Sequence, residues 1–266
     1  MQIYNDFVVF RCKKGYICCK NASNMKQNPS ADAFLLASRI QQELETYVDP
    51  VKRTYLPGFF KTGKGQYGEG DEFLGIVVPN TRLVAKRHKA EPFEVAAALL
   101  QSRWHECRLC ALLMLVERFK KCDETARKEI VDFYLAHTTR INNWDLVDLS
   151  APYILGEYLK DKPCDVLHRL ASSTLLWDQR IAVVATQTLI KNGDFTDILL
   201  LAPRFFQTPH DLMQKAVGWM LREVGKKNEA VLVGFLQQHA RSMPRTMLRY
   251  AIEKFPDGQR REFMKR

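Results

Sequence analysis

The chain has 266 residues, 46% hydrophobic and 26% charged, an ordinary globular composition with enough apolar material for one large or two small domains. Forty lysines and arginines against 30 aspartates and glutamates leave a net charge of +10, which favours a polyanionic partner, nucleic acid ahead of a membrane surface. The longest apolar run, Leu109 to Val116, is eight residues, far short of a membrane span, and no stretch reads as a signal peptide.

The seven cysteines form no framework, and an odd number of them fits a reducing cytoplasm. Cys107 and Cys110 have C-x-x-C spacing, but they lie in a strongly apolar helical run and read as small core residues.

In chain order, residues 1–28 carry no clear period and are expected to be a poorly structured arm, with Met25 an alternative start. Tyr4, Phe7, Val8, Val9 and Phe10 suit a short strand, yet nothing downstream offers it a partner. Residues 29–266 are expected to form a single domain. Ser30 to Val48 is the first helix, with Phe34, Ala37, Ile40, Leu44 and Val48 on one stripe, and Asp49-Pro50 ends it. Pro57 to Asp71 is a loop rich in glycine, basic and aromatic residues. Gly58 and Gly63-Lys64 have the spacing of a phosphate loop, but Gly65 stands where a hydroxyl should bind magnesium. No buried strand leads in, and glycines rather than a helix follow, so nucleotide hydrolysis is rejected.

From Pro79 onward the pattern is helix after helix. The segments are 79–89, 91–102, 104–121, 124–138, 143–160, 163–173, 175–192, 195–206, 209–227, 229–241 and 244–255, broken at Pro, Gly, Asn-Asn and Asp. Polar residues recur near the helix starts: Arg108, Asp148, Arg180, Lys215 and Arg249, at gaps of 40, 32, 35 and 34 residues. That is the period of a helix-pair repeat. It predicts an all-α fold, an α-solenoid of HEAT-like repeats whose equivalent helices line a concave cationic groove. Four cations around one carboxylate suit a nucleic-acid backbone, and leave the carboxylate needing another role.

That carboxylate lies in Asn142-Asn143-Trp144-Asp145-Leu146-Val147-Asp148. Asn142 or Asn143 supplies a cap, and Asp145 and Asp148 are expected in the first turn. Trp144 and Asp148, four apart, share a helix face, an arrangement suited to a cationic, ring-shaped ligand. Trp177 falls one turn before Arg180 and Trp219 one turn after Lys215, each on its cation's face. The plainer reading is a scaffold with solvated cations and tryptophans packed between repeats.

Phe59-Phe60-Lys61 to Phe73-Leu74-Gly75, Asn143 to Asp148, Leu176-Trp177-Asp178-Gln179-Arg180, Gln214 to Glu223 and Pro244 to Ile252 together resemble the AlkD-like DNA alkylation repair family, HEAT-like-repeat DNA glycosylases, over about residues 30–256. The resemblance implies hydrolysis of the N-glycosidic bond of cationic N3- and N7-alkylated purines in double-stranded DNA, without enclosing a flipped base. It implies Asp148 as the catalytic carboxylate, Trp144 and Trp219 as aromatics cradling the lesion's backbone, and Arg180 as a DNA contact. Phe59 falls where such proteins carry a tyrosine, with Phe60 the alternative. Trp177, Lys215, Arg108, Arg249, Arg222, Lys61 and Lys64 complete the expected DNA contacts. No cofactor, metal or membrane is implied. A cytoplasmic, nucleoid-associated monomer is expected. The alternative is a non-catalytic solenoid that binds nucleic acid or a protein partner.

Overall fold

Ser30 opens the helical body. In the computed structural model its hydroxyl accepts from the Ala33 N–H at 3.2 Å and starts α1 (Ala31–Glu45), which buries Ala33, Ala37, Ile40 and Leu44. The stripe is rotated slightly from the expected one, and Phe34 is 46% exposed. The structure describes residues 29–265, and the backbone alone of residues 3–4, 7–12 and 15–18. Those backbone segments form an antiparallel meander, β1 (Ile3–Tyr4), β2 (Phe7–Cys12) and β3 (Gly15–Cys18). The sequence offered a strand near Phe7 no downstream partner; here β2 pairs with β1 before it and β3 after it, which corrects that expectation. Met25 and the rest of the arm lie outside the described residues.

α1 ends at Glu45, short of the expected Val48, and Asp49-Pro50 instead begins α2 (Pro50–Phe59), whose last three residues the sequence had given to the glycine-rich loop and whose others it had left unassigned. The Asp49 carboxylate accepts from Val51 N and Lys52 N at 2.8 and 3.2 Å, and Pro50 sits in the first turn, where its missing N–H costs nothing. No residue of α2 is buried, so it carries no core stripe for periodicity to find. The loop after it returns to the body through Leu74, Gly75 and Ile76. Their N–H groups all donate to the buried Glu106 carboxylate at 2.8 to 3.1 Å. Gly75 has φ of 94°, and a Cβ there would meet the Arg53 and Asp49 backbone.

Helices then alternate: α3 (Val78–Arg87), α4 (Phe93–Leu100), α5 (His105–Phe119), α6 (Glu124–Ala136), α7 (Trp144–Asp148), α8 (Asp165–Ala171), α9 (Leu176–Lys191), α10 (Thr196–Leu201), α11 (Asp211–Lys227), α12 (Glu229–His239), α13 (Arg245–Ala251) and a further α14 (Asp257–Met264). Along one layer α5, α7, α9, α11 and α13 each pack on the next, while α4, α6, α8 and α12 back them. Residues 29–265 thus form an all-α solenoid of helical repeats. The repeat register is visible directly: Arg108, Asp148, Arg180, Lys215 and Arg249 stand at the fourth or fifth residue of those five helices. Glycines set two of the close approaches. A Cβ on Gly156 would lie 2.4 Å from the Ala185 carbonyl, and one on Gly218 2.5 Å from that of Met247.

The single helix expected over 143–160 is broken. Pro152 has no N–H to continue the ladder from Asp148, so α7 stops after five residues. Ser150 O takes both Tyr153 N and Ile154 N at 3.1 and 3.0 Å, and Pro152–Gly156 winds as a π-turn. The carbonyl of Pro152 accepts from the Thr188 hydroxyl of α9 at 2.7 Å.

Candidate active site and nucleic-acid groove

Asn143 fixes the start of α7 from two sides. Its oxygen accepts from Trp144 N at 2.9 Å, and its amide donates to Asp71 at 3.0 Å, tying the helix to the glycine-rich loop. Asp145 occupies the first turn and is buried. Asp148 is instead the last residue of α7, because the helix is so short. Trp144 and Asp148 still face one side and border the same apolar cleft of about 410 Å³. Arg180 donates from Nε and Nη2 to the two Asp148 oxygens at 3.0 and 2.8 Å, and from Nη1 to the Leu212 carbonyl at 2.7 Å. Burial pushes the Asp148 carboxyl above its ordinary value, against the pull of Arg180.

Trp144 tops a stack of rings. It lies on Phe60 (centroids 5.2 Å, 15°), Phe60 on Phe73 (4.8 Å, 23°), and Phe73 on His105 (4.5 Å, 23°). Phe59 meets Trp144 edge-on at 6.1 Å and is 48% exposed. Both phenylalanines therefore reach Trp144: Phe60 as its buried support, Phe59 as its open neighbour.

Under the stack lies a buried ionic cluster. His105 is held between Asp71 at 2.9 Å and Asp145 at 2.8 Å, and Arg108 pairs with the other oxygen of Asp71. Burial works against the charged imidazole, but Asp145 and Asp71 outweigh it and raise its pKa to about 9. Burial would likewise raise Asp71, yet the His105 hydrogen bond and the Arg108 charge hold it below its ordinary value. His105, Asp71, Asp145 and Asn143 were not singled out from the sequence as site residues. The available signal was the placing of His105, Glu106 and Arg108 in an otherwise apolar helical run, where polar groups must find partners.

Trp144 also borders a second groove of about 720 Å³, which runs between the glycine-rich loop, the starts of α9 and α11, and Tyr250 near the end of α13. Lys61, Tyr67, His210, Lys215 and Tyr250 line it. Lys215 pairs with Asp211 at 2.6 Å. Burial raises the Tyr67 phenol, and Trp177 meets its ring edge-on at 6.3 Å. Lys64 is exposed on the same loop.

The remaining residues lie elsewhere. Arg108 is a correction: its side chain is only 3% exposed, bound to Asp71 and the Ser102 and Arg103 carbonyls, and it faces no groove. Arg222 is paired with Glu253. Trp219 donates its indole N–H to Glu223 at 3.2 Å and borders neither the cleft nor the groove. Arg249 lines a separate hollow with Asp257, Arg260 and Arg261. The aligned residues thus share a register but not one groove.

Stacked helix pairs with a row of inner helices define a helical-repeat protein. The sequence pattern of the DNA alkylation repair enzymes matches residues 40–255, and the chain belongs to that family. Its role is the repair of alkylated DNA. A solved structure described as a predicted DNA alkylation repair enzyme from Enterococcus faecalis shares the fold, with a TM-score of 0.61 at 15% identity over 79% of this chain and 97% of that one. Comparison with curated proteins gives no match. Among the described residues no helix is long and apolar enough to cross a membrane.

Proposed function

We propose that the protein is a monofunctional DNA glycosylase of the AlkD-like, HEAT-like-repeat kind, which hydrolyses the N-glycosidic bond of cationic N3- and N7-alkylated purines. The observation that carries this reading is Asp148: a carboxylate 16% exposed, aimed by Arg180 and sharing an apolar cleft with the Trp144 ring.

An alkylated purine already carries the positive charge that makes it a good leaving group. The glycosidic bond breaks with its electron pair going to the base, which departs neutral. The sugar is left as an oxocarbenium ion. Asp148 stabilises that cation and orients the attacking water, whose proton it accepts. Its raised pKa suits the second task. Trp144 offers its electron-rich face to the same cation. Trp219, which the resemblance set beside the lesion, stands apart from the cleft and has no part in this step. Lys61 and Lys215 receive phosphates, and a lyase lysine is not required.

One observation favours the alternative, a non-catalytic reader: Arg180 engages both Asp148 oxygens, as a purely structural ion pair would. Base release from duplex DNA carrying N7-methylguanine separates the two. Asp148→Asn keeps an oxygen for Arg180, so folding and DNA binding should persist while release falls by roughly 100- to 1,000-fold. Equal release by both proteins would remove Asp148 from the mechanism. Binding without release by either would leave the non-catalytic reader.

A further inference from the structure

The glycine-rich loop after α2 spends most of its own amides on itself. Gly63 N donates to the Gln66 side-chain oxygen at 3.0 Å, Gly65 N to the Glu69 carboxylate at 2.8 Å, and Gly68 N to the Lys61 carbonyl at 3.1 Å. Asp71 ties its end to Asn143, His105 and Arg108. A Cβ on Gly68 would lie 2.4 Å from the Phe60 carbonyl, so the loop is closed on itself with no room to slide. Tyr67, between these contacts, is half-buried and reaches three other elements. Trp177 meets its ring edge-on, the Trp144 indole N–H donates to its phenol oxygen, and the Lys215 ammonium lies close enough to interact with that oxygen. Trp144 and Phe59 border both the apolar cleft and the second groove, whereas Tyr67 borders the groove alone. Stacking on Phe60 sets the plane of the Trp144 ring but leaves it free to turn within that plane. A bond to the indole N–H removes that freedom. The bond uses a lone pair of Tyr67, so the phenol keeps its own proton to give, and among the described residues nothing accepts it. Burial keeps the group protonated.

We propose that Tyr67 is a positioning residue of the base-release reaction: its hydroxyl donates to a phosphate of the bound DNA strand while its oxygen holds the Trp144 indole. The proposal rests on the glycosylase reading. Lys61 and Lys215 line the same groove, and each ammonium acts on a phosphate as a point charge on a flexible stem. The phenol, carried by a closed loop, adds direction to that charge. Asp211, the acidic side chain on the groove, is already taken up by Lys215. A phosphate seated on Tyr67 is thereby registered against the ring of Trp144, which shares the neighbouring cleft with Asp148. The loop thus serves a phosphate through one side chain, not through a cradle of free amides.

Tyr67→Phe removes the hydroxyl and keeps the ring beside Trp177, whereas Tyr67→Leu removes both. Each is compared with wild type in single-turnover base release from duplex DNA carrying N7-methylguanine, at saturating protein, and in affinity for the same duplex. Circular dichroism and thermal unfolding check that each variant folds. The expected result is a loss of roughly tenfold or more in the saturating rate of Tyr67→Phe, nearly as large as in Tyr67→Leu, the scale of one hydrogen bond to a charged group. Full activity in Tyr67→Phe, with only the leucine variant impaired, would reduce Tyr67 to packing and overturn the proposal. A loss confined to affinity, with the saturating rate unchanged, would overturn it too, because the hydroxyl would then have no hold on the reaction. Methylphosphonates placed singly around the lesion test the acceptor: at one position the replacement should slow wild type but hardly slow Tyr67→Phe further. Equal slowing of both proteins at every position would rule out the phosphate bond. Wild-type protein that binds the duplex but releases no base would sink the glycosylase reading, and the role of Tyr67 with it.

Discussion

His105 holds together the loop and the helix that carry the candidate site. Its two carboxylate partners belong to Asp71 on the glycine-rich loop and to Asp145, next to Trp144. The ring also ends the stack on which Trp144 rests. With a folded pKa of about 9 against 6.5 for a free imidazole, it contributes stability that is fully present below 6.5 and lost as the pH rises through 9. Asp71, held low, works in the opposite sense: its contribution is present above the ordinary aspartate value and fades as the pH falls through its depressed one. The urea midpoint should therefore fall between pH 7 and 10, by on the order of 1–3 kcal/mol in stability. The His105 ring signals in an NMR titration should move near pH 9. A His105 that titrates below 7 would show that the cluster does not hold a charged imidazole.

Among the elements, sequence reading located most of the inner helices and their register but not where their side chains go. Periodicity places Arg108 and Arg180 at equivalent positions because it reports spacing along a helix. It is blind to Asp71, which reaches Arg108 from 37 residues away and takes it out of play. The cysteines were legible because an apolar run determines their surroundings: Cys107 and Cys110 are buried, and burial pushes the Cys107 thiol up to about 12. Helix α2 went unread for want of a buried stripe, and α14 for the same reason. Asp148 was placed in a first turn because nothing upstream of Pro152 announces how early the helix yields to it. The helix spacing itself depends on two glycines. Gly156→Ala and Gly218→Ala would each press a methyl group onto a carbonyl of the neighbouring inner helix. Each should cost about 1–3 kcal/mol in chemical denaturation, whereas Gly234→Ala, with open space around it, should cost nothing of that kind.

For the whole molecule, a net charge of +10 suggested a broad cationic surface; local ion pairs leave that excess intact but occupy several of the cations expected to face DNA. Arg108, Arg180, Lys215 and Arg222 all have acidic partners. The groove's reach for phosphate then falls chiefly to Lys61, exposed on the loop with φ of 55°. In titrations of duplex DNA against salt, Lys61→Ala should weaken binding alike for all sequences and lower the log–log slope by about 1. Arg249→Ala, altering a separate hollow, should leave the slope where it was.

Arg180 belongs to α9, but its guanidinium is bonded to Asp148 at the end of α7 and to the Leu212 carbonyl in α11. It is a pin driven through three adjoining leaves of one hinge. The spacing of those leaves and the aim of the carboxylate are consequently a single mechanical coordinate. Any shift of α7 or α11 against α9 must therefore stretch or turn one of these bonds, so the helix row cannot change its spacing without re-aiming the Asp148 carboxylate.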